Sequence, residues 1–336
     1  MLVYALVVLV DPYDSIGISP WFDQAPIDDN RRYFNPGLAR KSRFDSAVVG
    51  NSAIMLLKPQ RLNELFNAAF VNLGMGAASP YEQSRLLQVF ARHHPEINTV
   101  LVGIDRTWCL PYGADKFGGV GALNPFPEWL YDENPWNDFP PLNKRTLNDA
   151  GQQALYLMGR IAPASGLDGY FDFLPPLRTY SLSRARQKIY GSREPRAKPP
   201  PSRPVLVGAA ERRRWPFPDL SLLESALQGT GDATRKVLLF VPYHVYHQPA
   251  PGTADAAHWE ECKRRVVDFG ARLSNVHVLD FMIPSEVTQR DENYWDEVHF
   301  TTEVADRLVS LIARGVAQRR GDGRIFLYST DGQALR

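Results

Sequence analysis

The stretch "DSAVVGNSAIML", residues 45–56, runs a short apolar segment straight into Gly50, Asn51 and Ser52. Its part at 46–50 has no polar alternation, the pattern of a strand buried on both faces. Four more runs of this kind follow: "AFVNL" at 69–73, "TVLVGI" at 99–104, "VLLFVP" at 237–242 and "NVHVLDF" at 275–281. Helical patterns separate them. "SPYEQSRLLQVFARHH" opens with Ser79, then Pro80 at the first helical position, then Glu82 three residues after the serine, a capping-box start. Residues 256–273 and 301–316 carry apolar side chains at helical spacing. The alternation predicts an α/β fold, a doubly wound and mainly parallel five-stranded sheet.

Between 106 and 235 the alternation stops. Residues 142–162 and 180–191 read as helices among loops rich in Pro, Gly and Trp. "EPRAKPPPSRP" (194–204) reads as an extended, mobile, proline-rich loop. No strand set of its own is visible there. The segment therefore reads as a largely helical and looped insertion between strands three and four of one domain spanning 1–336.

Composition narrows the function classes. The chain has 336 residues, 44% hydrophobic and 22% charged, with a formal net charge of +1. That is globular composition, and no basic stripe interleaved with aromatics points to nucleic acid. Two cysteines, Cys109 and Cys262, make no disulfide framework and carry no metal-ligand spacing, which leaves the redox compartment undecided. No cofactor or metal is expected. "MLVYALVVLV" (1–10) is apolar but half the roughly 20 residues that a bilayer span needs. It has no basic start and no cleavage site. It reads either as a buried first strand or as the remnant of an N-terminal membrane anchor.

Two stretches could carry chemistry. Ser52 follows a strand and opens a helical turn, so its hydroxyl would stand at the C-terminal edge of a parallel sheet beside backbone N–H donors. The plain alternative is a serine that caps the turn. "NYWDEVHF" places Asp296 and His299 two residues apart just before the last helix, a carboxylate and a base from one segment. The plain alternative there is an acidic loop that happens to hold a histidine.

Taken together, these stretches resemble the SGNH/GDSL hydrolase superfamily. "GNSA" stands where that family has Gly-Asp-Ser-Leu, and "NLGMGAAS" (72–79) resembles its second block, whose glycine N–H helps to form the oxyanion hole. Gly76 fits that glycine best, Gly74 second. "VGID" (102–105) sits where the third block has Gly-x-Asn-Asp, and "WDEVHF" matches the last block. "VDPYD", "FDSAVVGNSAIMLLKPQRL" and "YWDEVHFTTEVADRL" more narrowly resemble bacterial membrane-tethered SGNH-like envelope proteins. The resemblance implies a flavodoxin-like sheet, a Ser52, His299 and Asp296 triad, and an oxyanion held by the N–H groups of Ser52 and Gly76. It implies acyl-ester hydrolysis or acyl transfer, with O-acetyl groups of a cell-envelope or exported polysaccharide as the substrate class, on the periplasmic side of the envelope. It says nothing about 106–235.

The third block departs from the pattern. Ile104 and Asp105 stand where the side-chain N–H donor is expected, and an ionised carboxylate cannot donate. Loss of one such donor costs about 2.7–4 kcal/mol of transition-state stabilisation. Asn51 is a candidate replacement; Asn72 is another possible donor, although at a strand end it reads rather as satisfying backbone groups. This departure keeps open a second function class, a non-catalytic binding or assembly component on the same fold.

Other motifs are weaker. "GMGAAS" (74–79) approaches a dinucleotide fingerprint, but Ser79 replaces the third glycine and no acidic residue follows at the required distance. Ile54 excludes the Gly-x-Ser-x-Gly elbow. "PYHVYHQP" (242–249) puts Tyr243 and His244 on the same sheet edge as Ser52, and with Asp105 they are candidate substrate contacts. His244 and His247 without a placed carboxylate are a poor zinc signature. His93 and His94 end a helix and read as structural. Trp108, Trp129 and Trp136 read as core or as walls of a sugar cleft.

Overall fold

A computed structural model describes residues 2–17, 24–113, 126–134, 138–191 and 203–318, and two short strands beyond them. The sheet has five parallel strands in the order 2-1-3-4-5: β1 Ser46–Val49, β2 Phe70–Asn72, β3 Thr99–Ile104, β4 Arg235–Phe240 and β5 Val276–Asp280. This is the flavodoxin-like order. Registers such as Val48 against Leu101 and Val102 against Leu238 bury every residue of β1 and β3, which is why those runs show no alternation. Two short antiparallel strands extend the sheet past β5, at Phe326–Tyr328 and Ala334–Leu335. Nothing in the sequence reading anticipated them.

The N-terminal run is a helix, α1 Leu2–Val10, and not a buried strand. Val7 and Val10 pack on Ala150 of a later helix, while Val3, Leu6 and Leu9 are 59%, 54% and 62% exposed. Among the described residues no helix is long and apolar enough to cross a membrane. Helix α2, Arg31–Ala39, went unread because Pro36 and Gly37 interrupt it and its buried face carries Arg31, Arg32 and Asn35. Helix α3 is Pro59–Phe66 and α4 is Pro80–His93, with the capping box between Ser79 and Glu82 present.

Helices Lys144–Leu157 and Leu182–Tyr190 lie in the insertion, with Asp219–Gln228 after them; Ala254–Gly270 and Thr302–Gln318 complete the wound layers. One hydrophobic cluster joins strand residues Val48, Leu101 and Leu238 with insertion residues Trp108, Leu130, Ile189, Phe217 and Leu223. Trp108 is therefore core, and Trp129 packs at its margin. The insertion also covers an edge of the sheet. Asn72 N donates to Asp168 O at 2.8 Å, and Arg31 donates to both Asn72 O and Gly169 O. A Cβ at Gly169 would stand 2.1 Å from Asn72 O, so only glycine allows this approach.

Cys109 and Cys262 form a disulfide, a pairing that two cysteines without a framework had left open. It ties the 3-10 turn Arg106–Cys109, just beyond β3, to helix Ala254–Gly270. Their separation of 153 residues gave the sequence no spacing signal. Trp136 and most of 194–204 lie outside the described residues.

Candidate active site

Ser52 begins a 3-10 helix, Ser52–Leu56, directly after β1. Its neighbour, not Ser52 itself, is the cap: Asn51 Oδ1 accepts from Ala53 N at 3.0 Å. That frees the Ser52 hydroxyl. The helix is seated by Ile54, which fills a slot made by three glycines. A Cβ would come within 2.7 Å of Ile54 at Gly50, 2.5 Å at Gly103 and 3.0 Å at Gly74. Asn72 closes the seat, its Nδ2 donating to Ile54 O and Leu57 O at 2.9 Å each. Asn72 thus satisfies backbone groups and stays out of the cleft.

Ser52 Oγ lies 2.7 Å from His299 Nε2, and His299 Nδ1 lies 2.8 Å from Asp296 Oδ2. In the arrangement the network favours, Nδ1–H donates to Asp296 and Nε2 accepts from the serine. The other carboxylate oxygen, Asp296 Oδ1, accepts from Val298 N and His299 N at 3.0 and 2.8 Å. Burial pushes the Asp296 carboxyl up, but the His299 hydrogen bond and charge, with these two amides, outweigh it and leave it below the usual carboxylate range. The turn is braced around them. Trp295 N donates to His299 O at 2.8 Å, Tyr294 OH to Pro242 O at 3.0 Å, and His244 N to Glu297 O at 3.0 Å.

The oxyanion candidates lie alongside. Met75 N donates to Gly50 O at 3.0 Å, so the segment after β2 continues beside the end of β1, with Gly76 next after Met75 and Ser52 two residues after Gly50. Among the described residues neither Ser52 N nor Gly76 N meets an acceptor. Asn51 is engaged elsewhere: its Nδ2 donates to Asp105 Oδ2 and, at 3.3 Å, to Tyr243 OH. Both of its N–H hydrogens are thereby occupied, so it is not the replacement oxyanion donor. Asp105 also accepts from Thr107 N at 2.8 Å and caps the turn after β3. Burial holds its carboxyl above the usual range against these donors.

The three candidate substrate contacts turn out to be internal. Asp105 is 2% exposed and Tyr243 7%. His244 is 1% exposed, with Nδ1 accepting from Tyr246 N and Nε2 3.2 Å from Asp291 Oδ1. His244 is therefore a packing residue, and burial lowers the pKa of its imidazole against the pull of Asp291. In its place the insertion supplies a contact the sequence did not disclose: the Phe173 ring stands edge-on to His299 at 5.1 Å. Tyr180 meets Trp295 in the same way, and Arg186 and Tyr190 bond Asp291 at 2.7 Å. Only packing across more than a hundred residues makes these contacts. A cavity of about 800 Å3, lined by Tyr246, Trp259, Lys263 and Ile283, lies past Asp291 and includes neither Ser52 nor His299. Among the described residues no group of three or more His, Cys, Asp or Glu gathers as a metal site.

No family model matches the chain, and no curated protein matches it. Among solved structures it is similar to one described as "a putative platelet activating factor from Streptococcus pneumonia", at 10% identity and a TM-score of 0.40, over 86% of this chain and 90% of that one.

Proposed function

We propose that this chain is a serine-dependent acyl-ester hydrolase or acyltransferase of the SGNH type. The observation that carries the reading is the continuous relay from Ser52 Oγ through His299 to Asp296, with both links under 3 Å. In this reading Ser52 Oγ attacks an ester carbonyl while His299 Nε2 takes its proton. Asp296 holds the ring in the required tautomer and stabilises the imidazolium. The tetrahedral oxyanion accepts from Ser52 N–H and Gly76 N–H. His299 then returns the proton to the leaving oxygen, and an acyl-enzyme remains on Ser52. Water or a sugar hydroxyl, deprotonated by the same imidazole, completes hydrolysis or transfer.

An acylated carbohydrate, with O-acetyl as its group, is the substrate class we propose; the aromatic rings of Phe173, Tyr180 and Trp295 around the triad support it. Disulfides persist in oxidising compartments. The bond between Cys109 and Cys262, with the exposed apolar side chains of α1, supports action on the periplasmic side of the envelope and association with the membrane through the N-terminal region.

A second reading, an SGNH-like binding or assembly component, is favoured by one observation: the carboxylate of Asp105 stands where the resemblance puts an amide donor. Fluorophosphonate labelling separates the two, because it reports an activated serine without a known substrate. Labelling of the folded chain that disappears in Ser52→Ala and in His299→Ala is expected. A folded wild type that takes no label would overturn the enzymatic reading in favour of the binding one.

A further inference from the structure

The turn at 75–78 is held from two sides. On one side, Leu73 N and Met75 N donate to Val48 O and Gly50 O at 2.8 and 3.0 Å, at the end of β1. On the other, α2 takes the carbonyls. Asn35 Nδ2 donates to Leu73 O at 2.8 Å and Gly74 O at 3.3 Å. Arg32 donates from Nη1 to Gly76 O at 3.1 Å and from Nη2 to Ala77 O at 3.3 Å. Arg32 is 3% exposed and gripped by Glu82 through two bonds, Nε to Oε1 at 2.6 Å and Nη2 to Oε2 at 2.9 Å. Glu82 Oε2 also accepts from Ser79 N at 2.8 Å, so the cap of α4 belongs to the same network.

The turn closes from Ala78 N to Met75 O at 3.2 Å, and Ala77 has φ +50°. A turn with a left-handed third residue differs from the commoner type by a half-rotation of its central peptide, here the one joining Gly76 to Ala77. Alanine disfavours the left-handed region, so the local chain by itself leans toward the other rotation. Arg32 opposes that lean by holding the Gly76 carbonyl. Because the peptide is planar and trans, a Gly76 carbonyl fixed on the α2 side turns the Ala77 N–H away from α2.

We infer that Arg32 is a positioning residue of the oxyanion site: by fixing this peptide plane it aims the free Ala77 N–H, and by holding the carbonyls of Gly76 and Ala77 it keeps in place the turn that carries the Gly76 N–H of the preceding peptide. Arg32 touches no reacting atom. The inference rests on the reading of Ser52 as nucleophile, and its test separates the two.

The test measures kcat, KM and pH dependence with p-nitrophenyl acetate on the full chain and on Arg32→Ala and Arg32→Lys, with folding checked by thermal melting. Arg32→Lys keeps a charge against Glu82 but loses the planar fork, and so guards against a misfolded alanine variant. The expected result is a kcat loss on the order of 100-fold. KM and the pH midpoint of kcat stay unchanged, because the contact between Ser52 and His299 is untouched. Added guanidinium restores part of the activity of Arg32→Ala. Folded variants with wild-type kcat would overturn the inference. So would a loss that shifts the pH midpoint or resists guanidinium, which would make Arg32 a packing residue only. A folded wild type without turnover or labelling would remove the Ser52 reading, and the inference with it.

Discussion

Asn51 donates its side-chain amide to the carboxylate of Asp105 across the ends of β1 and β3. The resembling family has a carboxylate beside its serine and an amide in its third block. Against that resemblance Asn51 and Asp105 would hold the two groups in exchanged places, and their side chains are hydrogen-bonded to each other. Asn51 thereby caps the turn that presents Ser52 and cannot also face the cleft.

The exchange makes a double-mutant cycle informative. Asn51→Asp alone sets two carboxylates against each other, one of them already held above the usual range by burial. One must keep its proton, so stability should fall by about 1–3 kcal/mol and fall further as pH rises. Adding Asp105→Asn rebuilds one amide-to-carboxylate bond in reverse order and should recover most of that loss. It also moves an amide to 105, where kcat should exceed that of Asn51→Asp alone by up to about 100-fold. Urea unfolding and ester turnover check both arms.

The slot around Ile54 predicts that Gly103→Ala is destructive. Its Cβ would stand 2.5 Å from Ile54 Cγ2, a rigid branched position. Overpacking of this kind costs about 1–3 kcal/mol. Ser52 lies two residues before Ile54, so labelling should slow by about 100-fold where its hydroxyl moves by about 1 Å. Ile54→Ala in the same chain should give back part of the stability lost, which urea midpoints would show.

Two carboxyls should shape the pH dependence of stability in opposite senses. Asp296 titrates below its ordinary 3.8, so its contribution is complete above that value and is lost as pH falls through the lower folded value. Asp280 is pushed up to about 6 by burial, against the pull of Lys263 Nζ at 2.6 Å. From 3.8 to about 6 the folded chain then binds more protons at Asp280 than the unfolded one. Stability should decline as pH rises through that window and level off above it. Asp296→Asn should remove only the acid-side change. Asp280→Asn should flatten the higher window yet lower stability throughout, because Lys263 loses its buried partner. Unfolding curves taken across about pH 3 to 7 distinguish them.

The disulfide predicts a redox dependence. Closing a loop of 153 residues is worth about 5 kcal/mol on chain entropy alone. Reduction, or Cys109→Ser with Cys262→Ser, should lower the thermal midpoint by several degrees, on the order of 10 °C. An unchanged melting temperature in reductant would show that the bond does not form.

The sheet was legible because strands buried on both faces must be apolar throughout, and the five runs announce themselves in that way. The site was legible where function demands particular residue types in short segments, at 50–52 and 296–299. What could not be read was decided by partners distant in the chain. Asn51 alone could donate anywhere; Asp105 and Tyr243, far along the sequence, turn it inward. His244 lies on the expected sheet edge, but burial against Tyr294 and Asp291 removes it from the cleft. Nothing local marks Arg32 for burial; Glu82 and two carbonyls, distant in the chain, enclose it, and Phe173 carries no mark of its place beside His299. Local sequence by itself determined the strand order's raw material, the caps and the residue types available for chemistry. The tertiary structure alone decided which polar groups face the cleft, because each hydrogen can satisfy only one partner and burial selects it.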